Sequence, residues 1–323
     1  MNAANNSVSA LAPHAKQFID DWFNQGGKPF RSLTPQQARQ LEYAAPYVQP
    51  CVNQAITIEH HFIAGPSADL PVRIYRPRSS LNRASSGAML FFHGSGWMVS
   101  NIGINDRFAQ QLAITTGLVV IAINYQKAPE HKFPCAMDDC YHATKWVFEN
   151  AKAMKLDPDR IGVFGDSAGG NLAAAVTLRA RDQQSFKIAF QVLVYPAVDY
   201  DTNSPSMTRF AEGCLLEKAD LYYYLGHYIS CSDDLQNPYC IPMSAKSLIN
   251  LPPAFIYCAE CDPICDHGIN YATRLQQDNV PAISKVYPGM IHGFIKAFDV
   301  FPEAQQFLDD VRKDLANYGL LDA

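Results

Sequence analysis

Residues 160–170 read Arg160-Ile161-Gly162-Val163-Phe164-Gly165-Asp166-Ser167-Ala168-Gly169-Gly170, and an alanine-rich stretch, 171–176, follows them. The β-branched and aromatic run before Gly165 predicts a buried strand, and the alanines predict a helix. Ser167 lies in the turn between them, with glycine two residues before it and two residues after it. A turn this tight strains the serine backbone and leaves no room for side chains at Gly165 and Gly169. The pattern is typical of a turn that exposes a reactive serine, although glycine and serine also occur in ordinary turns.

A glycine-rich loop upstream supports the reactive-serine interpretation. Residues 88–92 predict another buried strand, which leads into His93-Gly94-Ser95-Gly96-Trp97. A glycine-rich loop at the carboxyl end of a strand can turn its backbone N–H groups inward as hydrogen-bond donors. The helix after Ser167 would aim its own free N–H groups at the same place, so a negatively charged oxygen would be stabilised there.

Acidic residues and a histidine follow two later strand-like runs. The predicted strand 254–259 precedes three acids, which are Glu260, Asp262 and Asp266. A strand near 284–287 leads to His292 in a loop. Serine, acid and histidine in this chain order can form a hydrolytic triad. The residues alone leave all three acids open as the partner of His292.

Taken in order, these motifs resemble those of the hormone-sensitive-lipase-like branch of the α/β-hydrolases, which includes bacterial short-chain esterases and acetyl esterases. The resemblance covers roughly residues 70–315. Its markers in this chain are His93-Gly94-Ser95-Gly96, Tyr125 with Ala128-Pro129-Glu130-His131 and Phe133-Pro134, the Gly165–Gly170 turn, Leu251-Pro252-Pro253-Ala254, Asp262-Pro263 with Asp266, and Gly289-Met290-Ile291-His292-Gly293-Phe294. Ser95 stands where these relatives usually have glycine, and its Cβ restricts the backbone conformations available there.

The resemblance implies a fold and a site. The expected fold is an α/β-hydrolase fold, with an eight-stranded, mostly parallel sheet flanked by helices and a helical cap. The implied catalytic residues are Ser167, Asp262 and His292, because the family places its triad acid at the aspartate of Asp-Pro. Asp266 is expected to cap the following helix instead. The implied oxyanion hole consists of the backbone N–H groups of Ser95, Gly96 and Ala168.

Two residues of the glycine-rich loop have less direct expected roles. His93 is expected to brace the loop rather than to react, because it precedes the glycine and cannot reach Ser167 as a base. Trp97 follows the loop and is expected to form part of the wall of the substrate pocket. The alternative is that Trp97 packs in the core.

The resemblance therefore predicts a serine carboxylesterase that hydrolyses short-chain acyl esters through an acyl-enzyme intermediate, without a metal or a cofactor. A non-catalytic ligand-binding protein of this fold is one alternative, but such a protein should have lost the serine or the histidine. A peptidase or a lipase of the same superfamily is another. Peptidases of this fold usually have a much larger chain, and long-chain lipases are expected to have a more apolar lid.

Composition limits the partners of the chain. It has 323 residues, of which 48% are hydrophobic and 18% are charged, and 26 basic against 31 acidic residues give a net charge of −5. Because the chain has no basic cluster, we expect neither nucleic acid nor an anionic membrane as a partner. The expected partner is a small-molecule ester, and a homodimer is compatible with the sequence. No run reaches the length of a membrane span, and residues 1–7 lack the features of a secretory signal.

Nine cysteines without framework spacing indicate reduced thiols and a cytoplasmic protein. Cys258-Ala259-Glu260-Cys261 has the spacing of a redox or zinc motif, but the run begins in a predicted strand and no further ligands complete it. We therefore expect no metal there.

The predicted organisation has two parts: N-terminal cap helices in residues 1–50, and a catalytic domain in 51–323 whose residues 200–245 contribute to the cap. Thr34-Pro35-Gln36-Gln37 predicts a capped helix with Ala38, Leu41 and Ala45 on one face. A further helix is expected from about residue 133, and an aromatic-rich helix over 219–229. Strands are expected near 56–63, 70–76, 88–92, 118–123, 161–165, 189–195, 254–259 and 284–287, the first two antiparallel and the later ones parallel.

Overall fold

A computed structural model describes residues 10–45 and 53–321. Eight strands form one sheet in this part of the chain. They are β1 (Ile56–Ala64), β2 (Asp69–Pro77), β3 (Ser86–Phe92), β4 (Val119–Ile123), β5 (Leu156–Asp166), β6 (Gln191–Val194), β7 (Ala254–Cys261) and β8 (Ala282–Ile291). The spatial order is β1-β2-β4-β3-β5-β6-β7-β8. β2 pairs antiparallel with β1 and β4, and the other pairs are parallel. The predicted eight-stranded, mostly parallel sheet is confirmed.

Helices cover both faces of the sheet. They are α1 (Pro13–Asn24), α2 (Pro35–Tyr43), α3 (Asp106–Thr116), α4 (Cys135–Asn150), α5 (Ala168–Gln183), α6 (Pro205–Arg209), α7 (Lys218–Tyr228), α8 (Cys265–Gln277) and α9 (Pro302–Asn317). The buried residues of α4, α5 and α8 form one hydrophobic core, and those of α3 and α9 form a second core. β3 and β4 are buried along their whole length, as expected for central strands with helices on both sides.

Two strands are longer than the sequence indicates. β5 begins at Leu156 rather than near residue 161, because Leu156 pairs with Ser86 across an irregularity in the register. The residues between Leu156 and residue 161 are polar and show no strand pattern, so this extension could not be predicted from the sequence. β8 continues to Ile291, which pairs with Cys261 after another irregularity. The Pro288-Gly289 pair interrupts the apolar pattern there and conceals the continuation.

The predicted capping box at the start of α2 is confirmed. Thr34 Oγ1 accepts a hydrogen bond from the Gln37 N–H at 3.3 Å, and Gln37 Oε1 accepts one from the Thr34 N–H at 3.0 Å. The predicted apolar face is confirmed, because Ala38 and Ala45 are buried and Leu41 is half-buried. Glu42 is also buried, which the apolar pattern does not predict.

The N-terminal segment contacts α7. Arg31 forms ion pairs with Glu217 at 2.6 Å and with Asp220 at 3.0 Å. Tyr223 OH donates a hydrogen bond to the Leu33 carbonyl at 2.7 Å. The two segments that the sequence analysis assigned to a cap therefore touch each other, while the predicted boundary near residue 50 lies outside the described residues.

Helix α1 is held by residues from the other end of the chain. The Ala12 N–H donates to the Gly289 carbonyl at 3.1 Å, and His14 Nε2 lies 3.0 Å from a carboxylate oxygen of Glu303. The ring of Phe18 packs edge-on against Phe301, with centroids 5.3 Å apart. These contacts fix α1 beside the end of β8.

Candidate active site

Ser167, Asp262 and His292 each come directly after a strand. Ser167 follows β5, Asp262 follows β7, and His292 follows β8. These strands run parallel in the order β5-β6-β7-β8, so their carboxyl ends meet at one edge of the sheet. Ligands of open α/β sheets bind at this kind of edge.

The three side chains form a hydrogen-bonded series. His292 Nδ1 lies 2.6 Å from Asp262 Oδ2, and His292 Nε2 lies 2.8 Å from Ser167 Oγ. Because the Asp262 carboxylate accepts, Nδ1 carries the ring proton, which leaves Nε2 to accept the serine hydroxyl. This arrangement can remove the proton from Ser167 as its oxygen attacks an electrophile.

The backbone at Ser167 has the strain that the turn motif predicts. Its φ is +59° and its ψ is −121°, a conformation that non-glycine residues rarely adopt. A Cβ at Gly165 would collide with the Gly169 carbonyl, and a Cβ at Gly169 would collide with the Phe92 carbonyl. The prediction that neither position tolerates a side chain is therefore confirmed.

Asp262 is fully buried but hydrogen-bonded. Its Oδ1 accepts the Ile264 N–H at 3.0 Å, just before α8 begins. The positive end of the helix dipole therefore lies beside this carboxylate. The other two candidate acids are engaged elsewhere. Glu260 accepts the Gly289 N–H at 2.9 Å, and Asp266 accepts the Ser206 N–H at 2.8 Å.

The expected capping role of Asp266 is wrong. Asp266 lies in the first turn of α8, after the helix has begun, and Ile264 occupies the N-cap position. Its carboxylate instead fixes the start of α6 through the Ser206 N–H, and Ser206 Oγ in turn accepts the Asp266 N–H at 3.1 Å. The spacing alone could not distinguish a cap from this tertiary contact.

Ser95, Gly96 and Ala168 lie beside Ser167 and line the same cavity. Gly96 has a φ of +53°, and a Cβ there would collide with the ring of Tyr224. Ser95 is not in the left-handed region, so its Cβ is tolerated. Its hydroxyl lies 2.6 Å from Tyr125 OH, which itself donates to the His93 carbonyl at 2.6 Å. Ser95 therefore donates to Tyr125 and anchors the loop.

His93 is buried and stacks on Tyr125 with centroids 4.5 Å apart. Burial, together with the positive charges of Lys127 and Lys296, holds the pKa of His93 well below its usual value. The neutral ring packs behind the loop, which agrees with a bracing role.

An ion pair that the sequence analysis missed connects the elements of the site. Lys296 Nζ lies 2.9 Å from Asp166 Oδ2, and Asp166 Oδ1 accepts the Gly94 N–H at 2.7 Å. Asp166 precedes Ser167, and Lys296 lies in the segment after His292. The pair therefore links the serine turn, the glycine-rich loop and the histidine segment. In the sequence, the only indication of this ion pair is that Asp166 lies beside Ser167.

A cavity of about 210 Å³ opens over Ser167. Its wall is rich in aromatic side chains, which are Phe18, Trp22, Phe23, Phe30, Trp97, Tyr195, Tyr200, Tyr222, Tyr224 and Phe301. The ring of Tyr195, which the sequence analysis also missed, lies 4.4 Å from that of His292. Trp97 is 6% exposed and stacks on Tyr228 at 4.4 Å, so it packs in the core as well as lining the cavity.

The Cys258-x-x-Cys261 residues point to opposite faces of the sheet, as residues three apart in a strand must. Cys258 packs in one core together with Cys265, while Cys261 packs in the other core together with Cys214. Within residues 10–45 and 53–321, no group of three or more His, Cys, Asp or Glu side chains is placed to hold a metal ion. Over the same residues, none of the helices has the length and apolar character needed to cross a membrane.

Comparison with known proteins agrees with this geometry. Residues 89–296 match the model of a family described by the alpha/beta hydrolase fold. The chain is 40% identical to an arylesterase of Saccharolobus solfataricus over 70% of this chain and 73% of that protein. It is 35% identical to an ethyl acetate hydrolase of Pseudomonas putida over 74% of this chain and 76% of that protein.

Solved structures show the same relationship. An ester hydrolase from the metagenome of Lake Arreo, complexed with a bipyridine phosphonate derivative, superposes with a TM-score of 0.90 at 32% identity, covering 96% of this chain and 99% of that one. A hyperthermophilic esterase from the archaeon Pyrobaculum calidifontis superposes with a TM-score of 0.87 at 32% identity, covering 96% of this chain and 99% of that one. The chain therefore belongs to the α/β-hydrolase fold family, in the branch of the carboxylic ester hydrolases.

Proposed function

We propose that this protein is a serine carboxylesterase that hydrolyses short-chain acyl esters through an acyl-enzyme intermediate. The observation that carries the proposal is the pair of hydrogen bonds joining Asp262, His292 and Ser167 at the carboxyl edge of the sheet. The relatives named as esterases support it, because they share the fold over most of this chain.

In the first half of the reaction, Ser167 Oγ attacks the acyl carbonyl carbon while its proton passes to His292 Nε2. The carbonyl oxygen gains negative charge, which the backbone N–H groups of Ser95, Gly96 and Ala168 stabilise together with the N-terminus of α5. The bond to the alcohol then breaks, and His292 gives its proton to the departing oxygen. The acyl group remains on Ser167.

In the second half, a water molecule attacks the acyl-enzyme and gives its proton to His292. The carboxylic acid leaves, and Ser167 Oγ recovers its proton from the imidazole. Asp262 holds the Nδ1–H tautomer and stabilises the imidazolium that forms twice in each cycle. Every step uses groups of this chain and water, so the scheme needs no metal or cofactor.

The proposed preference for short acyl chains follows from the cavity. Each methylene that fits into an apolar pocket gains about 0.8 kcal/mol, and a filled pocket gains nothing from a longer chain. A volume of about 210 Å³ limits the chain that fits. We assign Trp97 to the substrate-contacting wall. Residues 1–50 and 200–245 are proposed to form the cap, since Phe30 and Tyr224 bring both segments to the cavity.

The test is kcat/KM across p-nitrophenyl acetate, butyrate, octanoate and palmitate. The maximum is expected between acetyl and about hexanoyl, and Ser167→Ala should lose on the order of 10⁶ in kcat. Ser185→Ala, which removes an exposed serine beyond the far end of α5, is the matched control and should keep wild-type rates.

The outcomes separate the alternatives. A maximum at palmitate would favour a lipase, and faster cleavage of matched amides would favour a peptidase. No turnover of any ester would favour a non-catalytic ligand-binding protein. A folded Ser167→Ala variant that keeps more than a few per cent of the activity would exclude Ser167 as the nucleophile.

A further inference from the structure

The lining of the cavity includes a buried acid that the reaction scheme does not use. Glu42, on α2, lines the cavity and is only 6% exposed. Ser100 lies beside its carboxyl group and favours the ionised form. One carboxyl oxygen, Oε2, is buried and accepts no hydrogen bond from the part of the chain that the structure describes. A buried acceptor without a hydrogen bond raises the free energy of the folded protein, so Oε2 is a candidate to bind a donor on a ligand.

The neighbouring charged side chains do not donate a hydrogen bond to Oε2. Lys296 lies near Glu42, but its Nζ is paired with Asp166 at 2.9 Å, and Asp166 also accepts the Gly94 N–H. Lys127 also faces Glu42, but its Nζ is hydrogen-bonded to the Asn124 side chain and the Tyr125 carbonyl. With Glu42 ionised, Oε2 is therefore a charged acceptor without a donor among the described residues, and it favours a hydroxyl or a protonated amine over an anion or an alkyl group.

The chemistry of ester cleavage indicates which part of the substrate reaches Glu42. His292 Nε2 must approach the alcohol oxygen in order to protonate it. Gly293 and Lys296 follow His292 in the chain and line the cavity, and Lys296 faces Glu42. The alcohol part of the ester lies against His292, so it is the part of the substrate that shares the cavity wall with the segment that carries Lys296, the ammonium that faces Glu42.

We propose that Glu42 is a specificity-determining residue, whose Oε2 accepts a hydrogen bond from a hydroxyl or a protonated amine on the alcohol part of the ester. The inference rests on the proposed esterase function. It predicts that the preferred esters have a polar donor at the end of an otherwise apolar alcohol.

The test uses pairs of butyrate esters that differ only in the donor. Butyl and 3-hydroxypropyl butyrate, and pentyl and 4-hydroxybutyl butyrate, compare a methyl group with a hydroxyl. 3-Methylbutyl and 2-(dimethylamino)ethyl butyrate compare a CH group with a protonated amine of the same shape. Ethyl heptanoate and ethyl 6-hydroxyhexanoate place the hydroxyl on the acyl part instead. The readout is the ratio of kcat/KM within each pair at pH 8.

A hydrogen bond to a charged acceptor predicts a preference of about ten-fold for the better-fitting donor-bearing alcohol, and no such preference for the acyl pair. Glu42→Leu should abolish the preference, while Glu42→Gln should keep part of it for the hydroxyl and lose it for the amine. Glu149→Gln, an exposed glutamate on α4, is the control and should keep the wild-type ratios.

Because Glu42→Leu could fail to fold, the wild-type ratios and the isosteric Glu42→Gln variant decide the matter independently. The inference would be overturned if the kcat/KM ratios of the wild-type protein were close to 1, or if the Glu42 variants left these ratios unchanged, while ordinary esters were still hydrolysed. A preference for the hydroxyl on the acyl part would also overturn it. If no ester is hydrolysed, the proposed function fails, and this inference fails with it.

Discussion

At the residue scale, the strained turn at Ser167 depends on two neighbours without side chains. Gly165 and Gly169 lie against main-chain carbonyls, so a methyl group at either position would have to displace backbone rather than a mobile side chain. The strained φ of +59° at Ser167 persists only because these contacts hold the turn in place.

We therefore expect Gly169→Ala to destabilise the protein severely, by several kcal/mol, because its Cβ would overlap the Phe92 carbonyl. Gly226→Ala is the matched control. Gly226 lies inside α7 with open space around it, and alanine there should stabilise the protein by about 0.5–1 kcal/mol. Urea unfolding of both variants measures the difference. A Gly169→Ala variant with the wild-type midpoint would contradict this account of the turn.

The three acids near the candidate site should differ in their effect on activity. Asp262→Asn would hold His292 in the wrong tautomer, and we expect kcat to fall by about 10⁴. Glu260→Gln and Asp266→Asn, whose carboxylates bind backbone N–H groups elsewhere, should cost far less. Steady-state kinetics on p-nitrophenyl acetate compares the three. A larger loss in either control would move the triad acid to that position.

Glu42 makes the stability of the fold depend on pH. Burial raises the pKa of Glu42 from 4.5 to about 7. Lys296 and Ser100 partly offset this rise, and Asp166 adds to it. Lys127 and Tyr125 also face the Glu42 carboxyl group. Between these pH values the folded chain keeps a proton that the unfolded chain releases. Stability therefore falls as pH rises from about 4.5 to about 7, and this contribution is constant above pH 7.

Glu42→Gln removes this dependence, because glutamine has no proton to lose. We expect the variant to match the wild type near pH 4.5 and to be more stable at pH 8, by up to about 3 kcal/mol. Urea unfolding at pH 4.5, 6 and 8 tests this. A variant less stable than the wild type at pH 8 would show that the ionised Glu42 stabilises the fold.

The sequence predicted the residues that motifs mark and missed those that only the fold brings together. Ser167 and His292 could be named because each follows a strand-like run and belongs to a motif, and the family resemblance selected Asp262 from three candidate acids. Lys296 and Glu42 belong to no motif. The pattern of α2 indicated an apolar face, and nothing in it marked Glu42 as a buried residue. Ser95 could not be interpreted without its hydroxyl partner, Tyr125.

At the scale of elements, the attachment of α2 depends on Arg39. Its guanidinium forms two hydrogen bonds to Glu130, at 2.8 and 2.6 Å, and others to the carbonyls of Met98 and Ala128, each at 2.9 Å. These hydrogen bonds hold the pKa of Glu130 near 2. A lysine has one nitrogen and cannot reproduce this fork.

Arg39→Lys should therefore loosen α2 and expose the N-terminal segment. We expect limited proteolysis to cleave this segment several-fold faster than in the wild type. Lys16→Met, which breaks only an exposed ion pair within α1, is the control and should be cleaved at the wild-type rate. Equal cleavage of the Arg39→Lys and wild-type proteins would show that other contacts hold α2.

The type of most elements could be predicted, but not all of their limits. The apolar period of α4 and the continuous apolar runs of β3 and β4 are local signals, and the structure confirms them. The extensions of β5 and β8 depend on pairing across irregular register, which a polar or Pro-Gly sequence does not reveal.

At the scale of the whole molecule, the fold class and the direction of the strands followed from the sequence. The exchanged order of β3 and β4 in the sheet could not be deduced from the pattern, because it depends on which edges pair after the chain collapses. The cap assignment and a homodimer stay predictions.

The attachment of α1 to the far end of the chain has a consequence for biosynthesis. His14 and its partner Glu303 are 289 positions apart, and Gly289 and Phe301 also bind α1. A ribosome adds about 5–20 residues per second, so α1 leaves the exit tunnel tens of seconds before its partners exist. During that interval its apolar face is open to chaperones and proteases. Because α1 lines the cavity, this side of the cavity stays open until residues 289–303 have been synthesised and α1 can dock.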